Sequence, residues 1–235
     1  RAASAATEVA APANDLAALT AGAPEVPLHQ ALKTKFIEGG PGFMALIIIC
    51  LIIGLALAIE RILYLSFSKT NTKKLVAAVE KALENGGIEA AKKVCRETRG
   101  PVASIFYQGL LRYDQGIDVV EKTVVSYGSV QMSEMENGLS WIALFIAIAP
   151  SLGFLGTVIG MIQAFDAIQA AGDISPNVVA GGMKVALITT VGGLIVAMIL
   201  QVFYNYILAK IDTLSIDMEN SSIELIDVLS NYKAK

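Results

Sequence analysis

Threonine side chains in two long apolar segments are the candidates for chemistry in this sequence. Thr157 lies in the segment 139–165, and Thr189 and Thr190 lie in the segment 178–209. Hydroxyls donate and accept hydrogen bonds, so they can relay a proton, but threonine does not titrate near neutral pH and cannot hold one. We therefore predict that these hydroxyls line a polar pathway within a helix bundle. The alternative is helix packing alone, with each hydroxyl bonded to the preceding turn.

Small residues accompany these threonines at helical spacing. One face carries Gly153, Gly156, Thr157 and Gly160, and the other carries Ala186, Thr190, Gly193 and Ala197. Positions three or four apart share one side of a helix, and small residues let two helices approach closely in a membrane. We predict that the two faces pack together. The residues assigned to this packing are Pro150, Gly153, Gly156, Gly160 and Gly193.

Other kinds of chemistry find little support in the sequence. His29 is the single histidine, and Cys50 and Cys95 lie in different regions, which predicts two buried, reduced thiols and no metal centre. The sequence has no glycine-rich phosphate loop and no aspartate cluster for magnesium, so ATP is not the expected energy source. We predict a protein that is not an enzyme, with no cofactor and no nucleic-acid partner.

The composition places these residues in a membrane protein. Apolar residues make up 54% of the 235 residues. A bilayer span needs about 20 apolar residues, and three stretches reach that length, at 43–67, 139–165 and about 178–209. The predicted fold class is an all-α integral membrane protein, in which three transmembrane helices are extended by long cytoplasmic helices.

The distribution of positive charge predicts the orientation of the spans. The segment 68–137 carries ten lysine and arginine residues, whereas the connection 169–177 carries none. Because cytoplasmic loops are enriched in lysine and arginine, the first segment is predicted to be cytoplasmic and the second periplasmic. The N-terminus is then periplasmic and the C-terminus cytoplasmic, although Lys33 and Lys35 argue weakly against this.

These patterns divide the chain into eight segments. Leu28, Leu32 and Phe36 share one side of a short helix, and the residues before it are rich in alanine and proline. The predicted segments are a flexible periplasmic N-terminal segment 1–27, an interfacial amphipathic helix 28–42, transmembrane helix 43–67, a cytoplasmic helical domain 68–137, transmembrane helix 138–166, a periplasmic loop 167–177, transmembrane helix 178–209 and a cytoplasmic C-terminal helix 210–235.

Two patterns predict helices on the cytoplasmic side. Asn85, Gly86 and Gly87 predict the end of a first helix there. After the third span an apolar stripe has heptad spacing, at Ile211, Leu214, Met218, Leu225 and Val228, with Ser221 in the missing position. Such a stripe needs a partner, which is either copies of the chain around a symmetry axis or another helix of the same chain.

Four charged residues lie in or beside the spans. Glu60 and Arg61 are expected at the cytoplasmic end of the first span, as candidate charges toward a partner or an interface. Asp166 is expected to cap the second span on the periplasmic side or to attract protons. Lys184 lies about two turns into the third span, where it either snorkels to the outer surface or faces a partner helix or neighbouring subunit.

The apolar segments resemble those of a known family. The stretch NGLSWIALFIAIAPSLGFLGTVIGMIQAF resembles the second transmembrane helix of ExbB and TolQ proteins, which has an AP pair followed by a glycine-rich GTV pattern. GMKVALITTVGGLIVAMI resembles the third helix of that family, and IERILYL resembles its ER motif. The resemblance extends from Gly40 to Asn220, and the family shares the topology predicted above.

The resemblance implies a subunit of a proton-driven motor in the inner membrane of a Gram-negative bacterium. In ExbB proteins five copies surround the transmembrane helices of ExbD and pass proton motive force to TonB, which opens outer-membrane transporters for iron complexes and vitamin B12. By resemblance, this chain is expected to form a homopentamer within membrane lipid, around an ExbD-like partner that carries the protonatable aspartate, together with a TonB-like protein. Many members have a glutamate where Val185 stands, so that glutamate cannot carry protons here.

Two other functions stay open at this point. TolQ proteins of the Tol-Pal envelope system share the motifs, although the long N-terminal segment favours the ExbB type because TolQ proteins usually begin close to the first span. A membrane scaffold or channel without motor activity is the alternative from a different class.

Overall fold

The computed structural model describes residues 28–172 and 176–233, and the predicted flexible segment 1–27 lies outside them. The regular elements in these residues are all helices, which confirms the predicted all-α class. They are α1 (Leu28–Glu38), α2 (Pro41–Ser68), α3 (Thr72–Glu97), α4 (Pro101–Leu111), a 3₁₀ turn (Tyr113–Gln115), α5 (Ile117–Glu136), α6 (Leu139–Ala171) and α7 (Pro176–Lys233). Three of them, α2, α6 and α7, contain apolar stretches long enough to cross a membrane.

The membrane half of the molecule is built on the pair α6 and α7, with α2 packed across both. Ile47 of α2, Ala149 of α6 and Val196 and Leu200 of α7 form a buried cluster where the three helices meet. A side chain at Gly54 would lie 2.7 Å from a methyl group of Leu200, so this glycine allows α2 to approach α7 closely. Large aliphatic side chains of all three helices point outward and are exposed in the isolated chain.

The other half of the molecule, which is predicted to be cytoplasmic and is called the cytoplasmic half below, is a bundle with a conventional apolar core. The helices α3, α4, α5 and the last third of α7 enclose it. Its most deeply buried large side chains include Ile105, Phe106 and Leu110 of α4 together with Leu225 and Leu229 of α7, all at most 1% exposed. The short helix α4 is therefore the centre of the bundle, and the longer helices surround it.

Gly87 reverses the chain inside α3. Its φ of 69° and ψ of −163° are not helical, so α3 consists of two halves on either side of it. Glycine adopts a positive φ without the steric penalty that a Cβ imposes. The hydroxyl of Thr70 donates to the carbonyl of Arg99, so the second half returns the chain to the level at which the first half began. The predicted helix end at Gly86 and Gly87 is confirmed.

The apolar stripe of α7 finds its partners in the same chain. Ile211, Leu214, Met218, Ser221 and Leu225 are all buried against the cytoplasmic bundle. Beyond Leu225 the buried stripe is shifted by one position from the predicted one, because Leu229 is buried and Val228 is only partly buried. The stripe therefore does not require other copies around a symmetry axis, and the single-chain alternative describes this structure.

Two helix ends differ from the expectation. The short helix α1 ends at Glu38 and α2 begins at Pro41, so the predicted interfacial segment 28–42 includes a break and the first residues of the next helix. In α6 the helix continues past Asp166 to Ala171, and Gly172 ends it in a left-handed conformation whose N–H donates to the carbonyl of Ile168. The expectation that Asp166 caps this helix is wrong, because glycine performs that function five residues later.

Candidate functional site

The glycines of α6 bring its backbone against α7. A Cβ at Gly153 would lie 2.9 Å from the carbonyl oxygen of Thr189, and one at Gly156 would lie 2.7 Å from the hydroxyl of the same residue. At Gly160 a Cβ would meet the Cβ of Ala186 at 3.2 Å. Larger residues at the first two positions would push the helices apart, so these glycines fix the separation at which polar groups of α6 and α7 meet.

Two further residues assigned to packing lie one turn closer to the cytoplasmic half. A Cβ at Gly193 would collide with the carbonyl oxygen of Ala149, so α7 touches the α6 backbone there as well. The next residue, Pro150, is inside α6. Because proline has no backbone N–H, the carbonyl of Ile146 loses its helical hydrogen-bond donor at this position. The close contact at Gly193 and the missing helical hydrogen bond at Pro150 both lie immediately beside the threonines.

The three predicted threonines meet at this crossing. The hydroxyls of Thr157 and Thr190 are in hydrogen-bond contact across the two helices. Both oxygens also lie 3.2 Å from the carbonyl oxygen of Ala186, and the carbonyl oxygen of Gly153 is 3.2 Å from Thr157 and 3.3 Å from Thr190. Thr189 is fully buried and donates to the Ala186 carbonyl over 2.8 Å. We call Thr157, Thr189 and Thr190 the threonine cluster.

The threonine cluster contains fewer hydroxyl protons than hydrogen-bond acceptors. Each hydroxyl has one proton to donate, and it can accept others through its lone pairs. In the Thr157 and Thr190 pair, one hydroxyl donates to its partner while the other donates to a main-chain carbonyl, and rotation of both hydroxyls reverses that order. This geometry can relay a proton, and it also includes the bonds to the preceding turn that packing alone would produce.

Carboxylates are scarce around the threonine cluster. Among the described residues of α6 and of α7 as far as Ala209, the one carboxylate is Asp166. It is exposed, and it lies nine residues from Thr157, or about 13 Å along the helix axis at about 1.5 Å per residue. The structure therefore does not bring Asp166 to the threonine cluster.

Lys184 pairs with a residue that the sequence analysis did not select. Its Nζ lies 2.8 Å from Oε1 of Glu38, at the end of α1, and the other carboxylate oxygen of Glu38 accepts from Lys35 over 3.0 Å. Hydrogen bonds from Lys184 and Lys35 hold the pKa of Glu38 below its ordinary value. Lys184 therefore joins α7 to the short helix α1 of the same chain.

Glu60 and Arg61 lie at the other end of α2. The Nε of Arg61 is 3.4 Å from Oε2 of Glu60, and the guanidinium carbon is 5.5 Å from the ring centre of Tyr64. A Cβ at Gly138 would lie 3.1 Å from the same Nε, so the guanidinium packs against the residue that precedes α6. These charges join α2 to the start of α6 beside the cytoplasmic half, away from the threonine cluster.

The two cysteines are free thiols. Cys50 and Cys95 are both buried, as predicted, and burial raises the pKa of the Cys95 thiol to about 12. Within residues 28–172 and 176–233, no group of histidine, cysteine, aspartate and glutamate is arranged to hold a metal ion.

Sequence reasoning missed part of the helix contact. Gly182 belongs to it, because a Cβ there would lie 2.9 Å from the carbonyl oxygen of Gly160. Continuing the spacing of four backward from Ala186 would have found it. Toward the cytoplasmic half the buried position is Val196, whereas the predicted Ala197 is only partly buried. Which of two neighbouring positions is buried depends on the angle at which α6 and α7 cross. The spacing of small residues does not determine that angle.

Comparison with known proteins finds relatives of this chain. Residues 97–220 match the model of the MotA/TolQ/ExbB proton channel family, and this region contains α6, the threonine cluster and most of α7. A putative biopolymer transport protein ExbB homolog of Methanothermobacter thermautotrophicus is 36% identical over 182 residues, covering 77% of this chain and 63% of that protein. Biopolymer transport protein exbB1 of Vibrio cholerae is 44% identical over 68 residues, covering 28% of this chain and 30% of that protein.

A protein of the second type predicted from the motifs is also similar. The Tol-Pal system protein TolQ of Haemophilus influenzae is 29% identical over 99 residues, which are 42% of this chain and 43% of that protein. The chain thus spans less than two thirds of the length of each of these three relatives. Three membrane-spanning helices, a small-residue contact around the threonine cluster and the match over more than half of its length show that this chain belongs to the MotA/TolQ/ExbB proton channel family.

Proposed function

We propose that this chain is the ring-forming subunit of an ExbB-type motor in the inner membrane. In this proposal five copies surround a single-span, ExbD-like partner and pass proton motive force to a TonB-like protein, which energises outer-membrane uptake of iron complexes and vitamin B12. The N-terminus is periplasmic and the C-terminus is cytoplasmic. Similarity to the ExbB proteins of Methanothermobacter thermautotrophicus and Vibrio cholerae supports this type.

The threonine cluster carries the proposal. It places three hydroxyls in a close helix contact, whereas the described parts of α6 and of α7 as far as Ala209 offer no carboxylate within reach of it. Hydroxyls relay protons but do not retain them between steps, and a motor must hold a proton while a movement occurs. A partner that brings its own carboxylate to this contact would complete the pathway.

Polar side chains on the outer sides of the spans support an assembly of several copies. Gln163 of α6 and Gln201 and Asn205 of α7 are exposed in the single chain, and the amide of Gln201 donates to Asn205 over 3.2 Å. Polar groups that face hydrocarbon are unfavourable, so such side chains usually face other helices or a water-filled cavity. Neighbouring copies and a central partner would supply that surrounding.

Proton flux in liposomes tests the proposal. The purified protein, reconstituted with a pH-sensitive dye inside the vesicles, is expected to leak few protons when alone. Co-reconstitution with an ExbD-like protein is expected to produce flux that is lost when the membrane aspartate of that partner is changed to asparagine. Rapid, saturable flux through this chain alone would show that the proton is held here and not on the partner.

Substitution of the hydroxyls provides the matched comparison. Thr157→Val together with Thr190→Val keeps the side-chain volume and removes both relay hydroxyls, so we expect flux to fall while assembly persists. Thr213→Val is the control, because the Thr213 hydroxyl is exposed and donates to Ala209 in the same manner outside the threonine cluster. Full flux in the double variant would assign the threonine cluster to packing alone and would mean that protons follow another route.

A TolQ-type role is the second candidate, and the similarity to TolQ of Haemophilus influenzae favours it. Complementation separates the two types. An ExbB-type protein restores growth on an iron complex that needs active uptake in a strain without its own ExbB and TolQ. A TolQ-type protein instead restores resistance of that strain to detergent.

A further inference from the structure

A groove with an acidic edge runs between α5 and α7 in the cytoplasmic half. It has a volume of about 540 Å³, and apolar side chains including Val125, Met132 and Ile223 line it. Three carboxylates, Glu121, Glu136 and Glu219, stand along its edges. We call this surface, defined by those six residues, the acidic groove.

The acidic groove presents apolar surface where lipid cannot cover it. Val125 is 64% exposed and Ile223 is 55% exposed, although both lie in the cytoplasmic bundle beyond the spans. Within the described part of the chain, none of its three carboxylates forms an ion pair. An apolar patch rimmed by unpaired charge of one sign is typical of a protein-binding surface, and its partner should carry the opposite charge.

The first half of α3 carries a surface of matching character. Lys74, Ala77, Ala78 and Lys81 are all exposed and lie on the side of the helix opposite the buried residues Leu75, Val79 and Leu83. Two lysines one heptad apart thus flank a pair of small apolar side chains. We call Lys74, Ala77, Ala78 and Lys81 the basic face.

The basic face and the acidic groove lie at the same depth below the membrane. The first half of α3 and the end of α7 both run away from the membrane, and Leu83 lines a common pocket with Val228. A Cβ at Gly87 would likewise lie 3.5 Å from the hydroxyl of Tyr232. In both contacts the α7 residue comes 145 positions after the α3 residue. By the same offset, Lys74 lies at the level of residue 219 and Lys81 at the level of residue 226. Those levels are occupied by the α7 side of the acidic groove.

The two surfaces point in opposite directions. At about 100° per residue, Glu219 and Ile223 follow one side of α7 and line the acidic groove. The α7 residues that pack against α3, Val228 and Tyr232, lie on the other side of the same helix. The basic face therefore cannot reach the acidic groove of its own chain.

We propose that the acidic groove of each copy binds the basic face of the neighbouring copy. In a ring whose axis is perpendicular to the membrane, neighbours are related by rotation without a shift in depth, so only surfaces at the same level can meet. The two surfaces satisfy this condition, they face opposite ways, and their charges are complementary. The contact is head to tail, and the small side chains of Ala77 and Ala78 let α3 of one copy approach Ile223 of the next.

The inference rests on the proposed ring, and cross-linking tests it in the intact protein. In a background with Cys50→Ala and Cys95→Ala, the pair Glu219→Cys with Lys74→Cys is expected to give a ladder of covalent oligomers after mild oxidation in membranes. The control pair is Glu219→Cys with Lys93→Cys, because Lys93 is an exposed lysine on the returning half of α3 and should give no ladder.

Native mass spectrometry of the same preparations separates the possible failures. A ring without the Glu219 and Lys74 ladder would overturn this contact and leave the proposed function standing. A stable monomer in mild detergents would overturn both. A ladder from the control pair as strong as that from the test pair would show random collision and would also overturn the contact.

Charge reversal gives a second test that does not depend on cysteines. The double variant Glu121→Lys with Glu219→Lys places lysines opposite the lysines of the basic face. Because like charges that face each other across an interface repel strongly, we expect roughly tenfold less oligomer at low salt. Adding Lys74→Glu and Lys81→Glu to the same chain should restore the oligomer, because the pairing is then inverted but still complementary. No loss in the first variant, or no recovery in the second, would contradict the proposal.

Discussion

The helix α7 passes through two regions that are held together in different ways. Between Gly182 and Gly193 it lies against α6 through glycine, alanine and threonine, and the helix backbones almost touch. Between Ile211 and Leu229 it lies in a bundle through large aliphatic side chains that are almost completely buried. The same helix thus changes its packing chemistry along its length.

The solvent explains the difference. In water, burial of large apolar side chains is favourable, at about 25 cal/mol per Å². In lipid the surroundings are as apolar as leucine, so helices associate through close packing and hydrogen bonds. The membrane region should therefore be sensitive to added volume and lost hydroxyls, and the cytoplasmic region to lost volume.

Loss of volume should harm the cytoplasmic region most. Phe106→Ala removes a fully buried ring at the centre of the bundle, and we expect it to lower the free energy of unfolding by about 3 to 5 kcal/mol. The measurement is thermal unfolding of the purified protein in detergent. Phe165→Ala is the control, because Phe165 is 62% exposed on α6, and its effect should be much smaller. Equal losses for the two variants would break the comparison.

Added volume should harm the membrane region. Gly193→Ala places a methyl group against the carbonyl of Ala149, and overpacking of this kind costs about 1 to 3 kcal/mol. Gly192→Ala is the adjacent control, since its methyl would meet only the flexible end of Met44 at 3.4 Å. Thermal unfolding should distinguish the two neighbours, and indistinguishable melting temperatures would mean that α6 and α7 can separate at little cost.

Loss of a buried hydroxyl should have an intermediate effect. Thr189→Val removes the hydrogen bond to the Ala186 carbonyl at nearly constant volume, and a typical protein hydrogen bond contributes about 0.5 to 1.5 kcal/mol. Thr213→Val, at an exposed site on the same helix, should leave the unfolding transition unchanged. A gain in stability for Thr189→Val would indicate that the hydroxyl is retained for function and not for packing.

The smallest effect is expected at the outer end, where α1 meets α7. The pKa of Glu38 is lowered by Lys184 and Lys35, so this carboxylate favours the docked α1 above its ordinary pKa of 4.5, and the contribution is lost as the pH falls through the lowered pKa. Hydrogen exchange of α1 should therefore increase on acidification, and Glu38→Gln should show the faster exchange already at neutral pH. A pH response that persists in Glu38→Gln would assign it to another group.

In the membrane region the helices could be predicted from the sequence, but not all the contacts between them. The spans, the small-residue faces and the threonines follow from local composition and from a spacing of three or four, which the helix fixes. Glu38 as the partner of Lys184 could not be predicted in this way, because the ion pair joins residues 146 positions apart and depends on how α1 folds back. The signal available was only a glutamate before the Gly39 and Gly40 turn.

The cytoplasmic region was predictable in its helices but not in its partners. The heptad stripe of α7 is a property of the sequence, yet the residues that cover it lie on α3, α4 and α5. A stripe alone does not distinguish a helix of the same chain from a second copy, since both would bury the same side chains. The deciding fact was the reversal at Gly87, which brings additional helices alongside α7.

The length and stiffness of α7 have a mechanical consequence. It runs unbroken over 58 residues, and after Gly193 its described part contains neither glycine nor proline. Those last 40 residues form a rod of about 60 Å at about 1.5 Å per residue. A tilt of about 5° at the threonine cluster would displace the far end of such a rod by about 5 Å. A small change at the threonine cluster would therefore be amplified along α7 into a movement of several ångströms at its far end.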